Sequence, residues 1–304
     1  MFALRTISMA CVVSWFAVGI ARCQPGDWAP YLDGGAAKAF QRDGVTIKFD
    51  EHHTAIALDA VNAKLSDASL QFVGVLSDLR AVKLSKQPIT DAGLKKLLVL
   101  TKLKSLGLDE TRVTDAGLAG LEKLPALEEL LLANTRIGDV GIEHLVKLPK
   151  LKRLRLSGSK VTDAGMASLA AVKTLEDLDL SKTAIGDEGL TTLARLPKLA
   201  KLNLYTTRVT NAGLDSLQSL RSLKWLNLDN TAVTDAGLAK FHGMTNLEFL
   251  HLGRTQITDT GLPQLSRLTK LQELHVTRTH VTADGVKRLQ QSLPKCKIVD
   301  KVKE

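Results

Sequence analysis

Ring-bearing side chains recur in the later part of this chain at a fixed interval. Trp225 and Phe249 stand 24 residues apart, as do His251 and His275, and Tyr205 lies just upstream. Asn203, Asn227 and Asp229 are interleaved with them. Exposed aromatics bordered by hydrogen-bonding groups are the chemistry of an interface hot spot or of a carbohydrate platform. His251 and His275 with Glu273 or Asp229 also have the types of a two-histidine, one-carboxylate metal site. Solvated polar residues on an exposed sheet look the same, so no metal is assigned. A second set, Arg153 and Arg155 with Arg136 and Lys160, carries the charge to hold an anion. Asp177 and Asp179, one period later, favour mutual neutralisation instead.

Catalytic chemistry finds little support. The chain has no Gly-x-x-x-x-Gly-Lys, no Cys-x-x-Cys, no His-Glu-x-x-His and no serine in a nucleophile-elbow context. The aspartates that recur at 91, 115, 139, 163, 187, 235 and 259, with Asn211 interrupting, supply one carboxylate per period. Calcium wants about six to eight oxygens, so these read as helix-end residues. No enzyme and no cofactor is expected.

What positions the rings is a phrase repeated nine times at a spacing of 24 residues, from Ile89-Thr90-Asp91-Ala92-Gly93-Leu94 to the decayed Val281-Thr282-Ala283-Asp284-Gly285-Val286. A fainter copy begins at Leu65. A fixed period of this length marks one supersecondary unit stacked on its neighbours. Each unit opens with Leu-x-x-Leu-x-Leu, as in Leu103, Leu106 and Leu108. Its alternating end predicts a short strand with one buried face. A threonine three residues on (Thr111, Thr135, Thr183, Thr207, Thr231, Thr255, Thr279, with Ser159 in one copy) is placed to bond loop backbone of its own or the next unit. The phrase then leads into leucines at helical spacing, with threonine as N-cap and aspartate in the first turn. Pro125, Pro149 and Pro197 end the helix. The phrase glycine is structural, through close packing or a special backbone angle.

Leu-x-x-Leu-x-Leu-x-x-Thr-x-Val/Ile-Thr/Gly-Asp-x-Gly-Leu resembles the leucine-rich repeat, in the version found in many secreted bacterial repeat proteins. The resemblance spans about residues 65 to 290, and it departs from the common repeat in having threonine where asparagine is usual. It implies an α/β solenoid, an arc or horseshoe with a parallel sheet on the concave side and short helices on the convex side. Members most often act as recognition surfaces.

The ends differ from the repeats. Residues 1–21 read as a cleaved signal peptide: Arg5, an apolar run from Ile7 to Ile20, and Gly19-Ile20-Ala21 as the cleavage region. The run is short for a membrane span. Residues 22–33 form an arm, and 34–64 an N-terminal cap with strands over Val45–Phe49 and Ala55–Asp59. Repeats run over 65–288, and 289–304 form a C-terminal cap and tail. Cys23 and Cys296 fall at opposite ends, which makes pairing unexpected and Cys296 a small buried hydrophobe. The net charge of +9 becomes +8 without residues 1–21, which hold one Arg and no acid. A basic exported chain favours anionic partners.

These readings converge on a non-enzymatic, exported scaffold, periplasmic, cell-surface or extracellular, that recognises a protein through its concave sheet. The alternatives are carbohydrate or cell-wall polymer binding by Tyr205, Trp225 and Phe249, and an adaptor that is not exported. An anionic polymer or glycan is a further candidate partner. No specific nucleic acid recognition and no membrane span in the mature form are expected.

Overall fold

The computed structural model describes residues 44–74 and 76–301. The signal peptide, the arm and the first part of the N-terminal cap assigned from sequence lie outside them. Twelve strands form one sheet in strict chain order. β1 (Thr46–Phe49) runs antiparallel to β2 (Ala55–Asp59), and every later strand adds in parallel, from β3 (Ala81–Lys83) to β12 (Lys297–Val299). The register advances by one repeat per strand: Leu106 pairs with Leu130, and Leu130 with Leu154. From β3 to β11 each central residue is buried and its two neighbours face outward, the alternation a pleated strand imposes. Helices such as Asp139–Leu145 and Asp163–Leu169 return the chain on the other side, and three repeats use a 3-10 turn, at Leu121–Lys123 and Ala239–Gly243 after a four-residue helix and at Leu262–Arg267 in place of one. The core between the layers is almost wholly aliphatic, with Phe241 the one fully buried ring among the described residues.

Backbone groups in the loops are satisfied by the neighbouring units on both sides. Leu108 and Glu110 donate to the carbonyls of Leu131 and Ala133, and Arg112 donates to Ile89. The threonine hydroxyls serve their own unit: Thr111, Thr183 and Thr255 each donate to the carbonyl three residues back, at 2.6–2.7 Å. Ser159 is the exception; its buried Oγ has no partner.

The phrase aspartates do more than occupy helix ends. Asp91 Oδ1 accepts the backbone N–H of Thr114 at 2.8 Å, and its Oδ2 accepts the Thr114 hydroxyl at 2.6 Å. The same pair of bonds links Asp139 to Thr162, Asp187 to Thr210 and Asp235 to Thr258. Each carboxylate therefore ties its helix start to the helix start of the following repeat. Where glycine replaces the threonine, at Gly138 and Gly186, only the backbone bond remains. Asn211 keeps the pattern with Oδ1 accepting from Thr234 N–H and Nδ2 donating to its hydroxyl.

This ladder explains the phrase glycine. A Cβ on Gly189 or Gly213 would sit 2.5 Å from Oδ1 of the preceding repeat's Asp163 or Asp187. Of the two readings left open by the sequence, close packing is the one realised, and these glycines do not have positive φ. Left-handed positions lie elsewhere, at His53, Gly44 and Gly120 and in one column after the strands: Lys86, Glu110, Asn134, Gly158, Lys182, Thr206, Asn230, Arg254 and Arg278, the column with φ between 51° and 67°.

Candidate functional site

Three adjacent strands carry the ring cluster: β9 (Trp225–Asn227), β10 (Phe249–His251) and β11 (Glu273–His275). Their register sets Trp225 beside Phe249 and Glu273, and Asn227 beside His251 and His275. Leu226, Leu250 and Leu274 point into the core, which leaves the flanking side chains on the concave face. Trp225 and Phe249 stack with centroids 4.8 Å apart and planes within 6°. His251 and His275 stack at 4.7 Å and 14°, and Phe249 touches His275 at 5.3 Å. Both stacks repeat at about the strand spacing, so each ring spends one face on its neighbour along the solenoid.

The polar residues between the rings are partly committed to their own loops. Asn203 Oδ1 accepts from Tyr205 N–H at 3.2 Å, Asn227 Oδ1 from Asp229 N–H at 2.9 Å, and His251 Nδ1 from Gly253 N–H at 3.2 Å. An accepting Nδ1 places the proton of neutral His251 on Nε2. Burial pushes the His251 pKa down; Asp229 works against that shift, while His275 and Arg254 reinforce it. His275 Nε2 lies 3.1 Å from Glu273, whose carboxylate also receives Lys297 Nζ at 2.6 Å. That lysine holds the Glu273 carboxyl below its ordinary range. Among the described residues no group of three His, Cys, Asp or Glu side chains is arranged to hold a metal ion.

Asp229 sits differently from its sequence neighbours. It is buried, and Arg254 clamps it with Nε at 2.9 Å and Nη2 on the second oxygen. This pairing raises the guanidinium pKa. The same guanidinium lies 5.1 Å from the centroid of the Tyr205 ring, with Lys182 Nζ at 5.8 Å, a cation–π arrangement. Arg254 was not among the residues singled out from sequence. Its signal was weak: an arginine following Gly253 in the column of left-handed residues. It joins Tyr205, Asp229 and, at 4.0 Å from Asp229, His251 into one cluster.

The arginine set resolves into ion pairs on β6 (Arg153–Arg155). Arg153 bridges Glu129 at 2.7 Å and Asp177 at 3.2 Å. Arg155 reaches across two repeats to Asp109 at 3.2 Å, so its partner is not the expected Asp179. Asp179 instead accepts the backbone N–H of Ser181. Arg136 and Lys160 are exposed in the loops between strand and helix and share no ion pair with Arg153 or Arg155. Cys296 is buried, and burial raises its thiol to about 11.

Comparison with known proteins agrees with this geometry. Residues 221–281 match the family described as leucine rich repeat, and residues 147–170 and 173–194 match a second leucine rich repeat family. The matched segments are leucine-rich repeats, and the chain has the solenoid fold. No curated protein sequence matches it. Among solved structures, the Arabidopsis receptor kinase HAESA ectodomain, in complex with an IDA peptide hormone, is 18% identical with a TM-score of 0.58 over 77% of this chain and 40% of its own. A TDR receptor is 17% identical with a TM-score of 0.57, over 81% of this chain and 43% of its own. Internalin C2 of Listeria monocytogenes is 22% identical with a TM-score of 0.51, over 80% of this chain and 89% of its own. The chain thus spans less than half the length of the two receptor chains. At these identities the likeness is one of fold. No helix among the described residues is long and apolar enough to cross a membrane.

Proposed function

We propose that this protein is an exported, non-enzymatic recognition scaffold that binds a protein or peptide through the concave face of β8 (Lys201–Asn203) to β11. The carrying observation is the pair of ring stacks, Trp225 on Phe249 and His251 on His275, fixed on adjacent strands. Side chains locked by stacking on a sheet lose little further freedom when a partner docks. Repeat surfaces of this fold commonly serve protein recognition, and the structure of HAESA with a peptide hormone is one instance.

The ring geometry favours a protein partner over a sugar platform. A pyranose stacks on an open aromatic face, whereas Trp225 and Phe249 turn a face toward each other at 4.8 Å. What remains for a ligand is a ridge of ring edges with Arg254 and Glu273 alongside, which suits mixed apolar and polar side chains.

Immobilised full chain and its Trp225→Ala/Phe249→Ala variant, exposed to a displayed peptide library, test this reading. Selected peptides should lose about 2 kcal/mol on the variant, roughly 30-fold in Kd, as for a hot-spot pair. Equal binding by a variant with native circular dichroism would remove the concave-face site. Mass spectrometry of the native N-terminus tests export, because an intact Met1 contradicts cleavage.

A further inference from the structure

We propose that the edge on which the helices turn back toward the strands binds a linear polyanion, an acidic polysaccharide, independently of the concave face. Lys123, Lys147, Lys150, Lys173, Arg195 and Lys198 lie along this edge in four successive units, all exposed. None forms an ion pair among the described residues; Lys173 Nζ donates only to the carbonyl of Arg195, at 3.1 Å. Nearby carboxylates offset them only in part, through the attraction between Glu128 and Lys150. Glu128 is taken up by Lys104 and Lys152, and the exposed Glu122 is unpaired.

The opposite edge shows that this imbalance is not a general property of the fold. There Arg112, Arg136 and Lys160 each share their unit with a ladder carboxylate, Asp115, Asp139 or Asp163, and the unit of Arg208 has the amide Asn211 instead. On the helix-to-strand edge, the units carrying Lys147 to Lys198 set one exposed acid, Glu176, against these five cations.

The repeat sets the fit. Successive units follow at about 4.8 Å along the sheet, so the cations form a row rather than a patch, and a row matches a linear chain of charges. Five of the six are lysines, which act as hydrated point charges without the planar fork that Arg uses for phosphate. No aromatic side chain shares their positions, so the stacking that single-stranded nucleic acid requires is missing. The observations favour a polymer read by charge alone.

Full-length protein binding to polygalacturonate, measured by calorimetry at stepped NaCl, tests the proposal. Affinity should fall at least about tenfold between 50 and 200 mM salt, as counterion release demands. The variant K147E/K150E/R195E/K198E should lose binding, and Trp225→Ala/Phe249→Ala should keep it; circular dichroism confirms the fold of both. Absence of binding by the native chain, or native-like binding by the charge-reversed variant, overturns the proposal. So does tighter binding to oligo(dT) or to phosphatidylserine vesicles than to polygalacturonate. Because the concave-face variant is scored in the same assay, failure here leaves the peptide-recognition reading standing, and the reverse also holds.

Discussion

The aspartate ladder predicts that Gly117→Ala should be strongly destabilising for a reason located in another repeat. A Cβ at 117 would overlap Asp91 Oδ1, with Asp91 Cγ at 2.9 Å and Val113 Cγ1 at 3.0 Å. The carboxylate must then move away from Thr114, whose N–H and hydroxyl it holds at 2.8 and 2.6 Å. Two hydrogen bonds to a charged group are worth about 3–6 kcal/mol together. Alanine returns about 1 kcal/mol of helix propensity over glycine, leaving a net loss of about 2–5 kcal/mol. Asp91→Ala should cost a similar amount, since it leaves the Thr114 N–H without its acceptor. In the double variant the obstacle is gone, and alanine at 117 should become harmless or mildly stabilising. The double-mutant cycle, read from urea unfolding followed by circular dichroism, should therefore give a coupling of about 3 kcal/mol or more. A constant m-value would show that unfolding remains cooperative. Energies that add within about 0.5 kcal/mol would mean that the glycine and the carboxylate are not in conflict, and the account of the ladder would be wrong.

Other outcomes follow from the same contacts. Glu110→Gly relieves a left-handed residue at φ 59° and should raise stability by about 0.5–1 kcal/mol, the αL strain less the entropy of glycine; a lowered Tm would refute this. Ser159→Ala removes a buried hydroxyl with no partner and should be neutral or stabilising. Thr183→Val removes a hydroxyl bonded at 2.6 Å and should cost about 1 kcal/mol, so it should lower Tm where Ser159→Ala does not. Acid should destabilise the protein in two steps of the same sign. His251 has its pKa depressed by burial, so its contribution is complete above the ordinary value of 6.5 and is lost as pH falls through the folded value. Asp259 is held below its ordinary 3.8 by the hydrogen bond from Thr282 N–H, and its contribution is lost only as pH falls through that lower value. His251→Gln should erase the first step in a pH series of melting curves and leave the second.

The chain by itself settled the period, the strand and helix of each unit, and the alternation that puts Trp225, Phe249, His251 and His275 on one face. That much follows locally, because burying one side of a three-residue strand fixes where its neighbours point. Tertiary structure decided how the repeats speak to each other. Asp91 looks like a helix-end residue until its carboxylate is seen on Thr114, and Gly117 looks interchangeable with alanine until that carboxylate occupies the space. Asp229 looks available for a ligand until Arg254 covers it from the following repeat, and Arg155 passes over the adjoining Asp179 for Asp109, two repeats away. Spacing along the chain reports which residues share a column. It does not report which of several equidistant partners a long side chain will choose, because rotamers and neighbouring bulk make that choice.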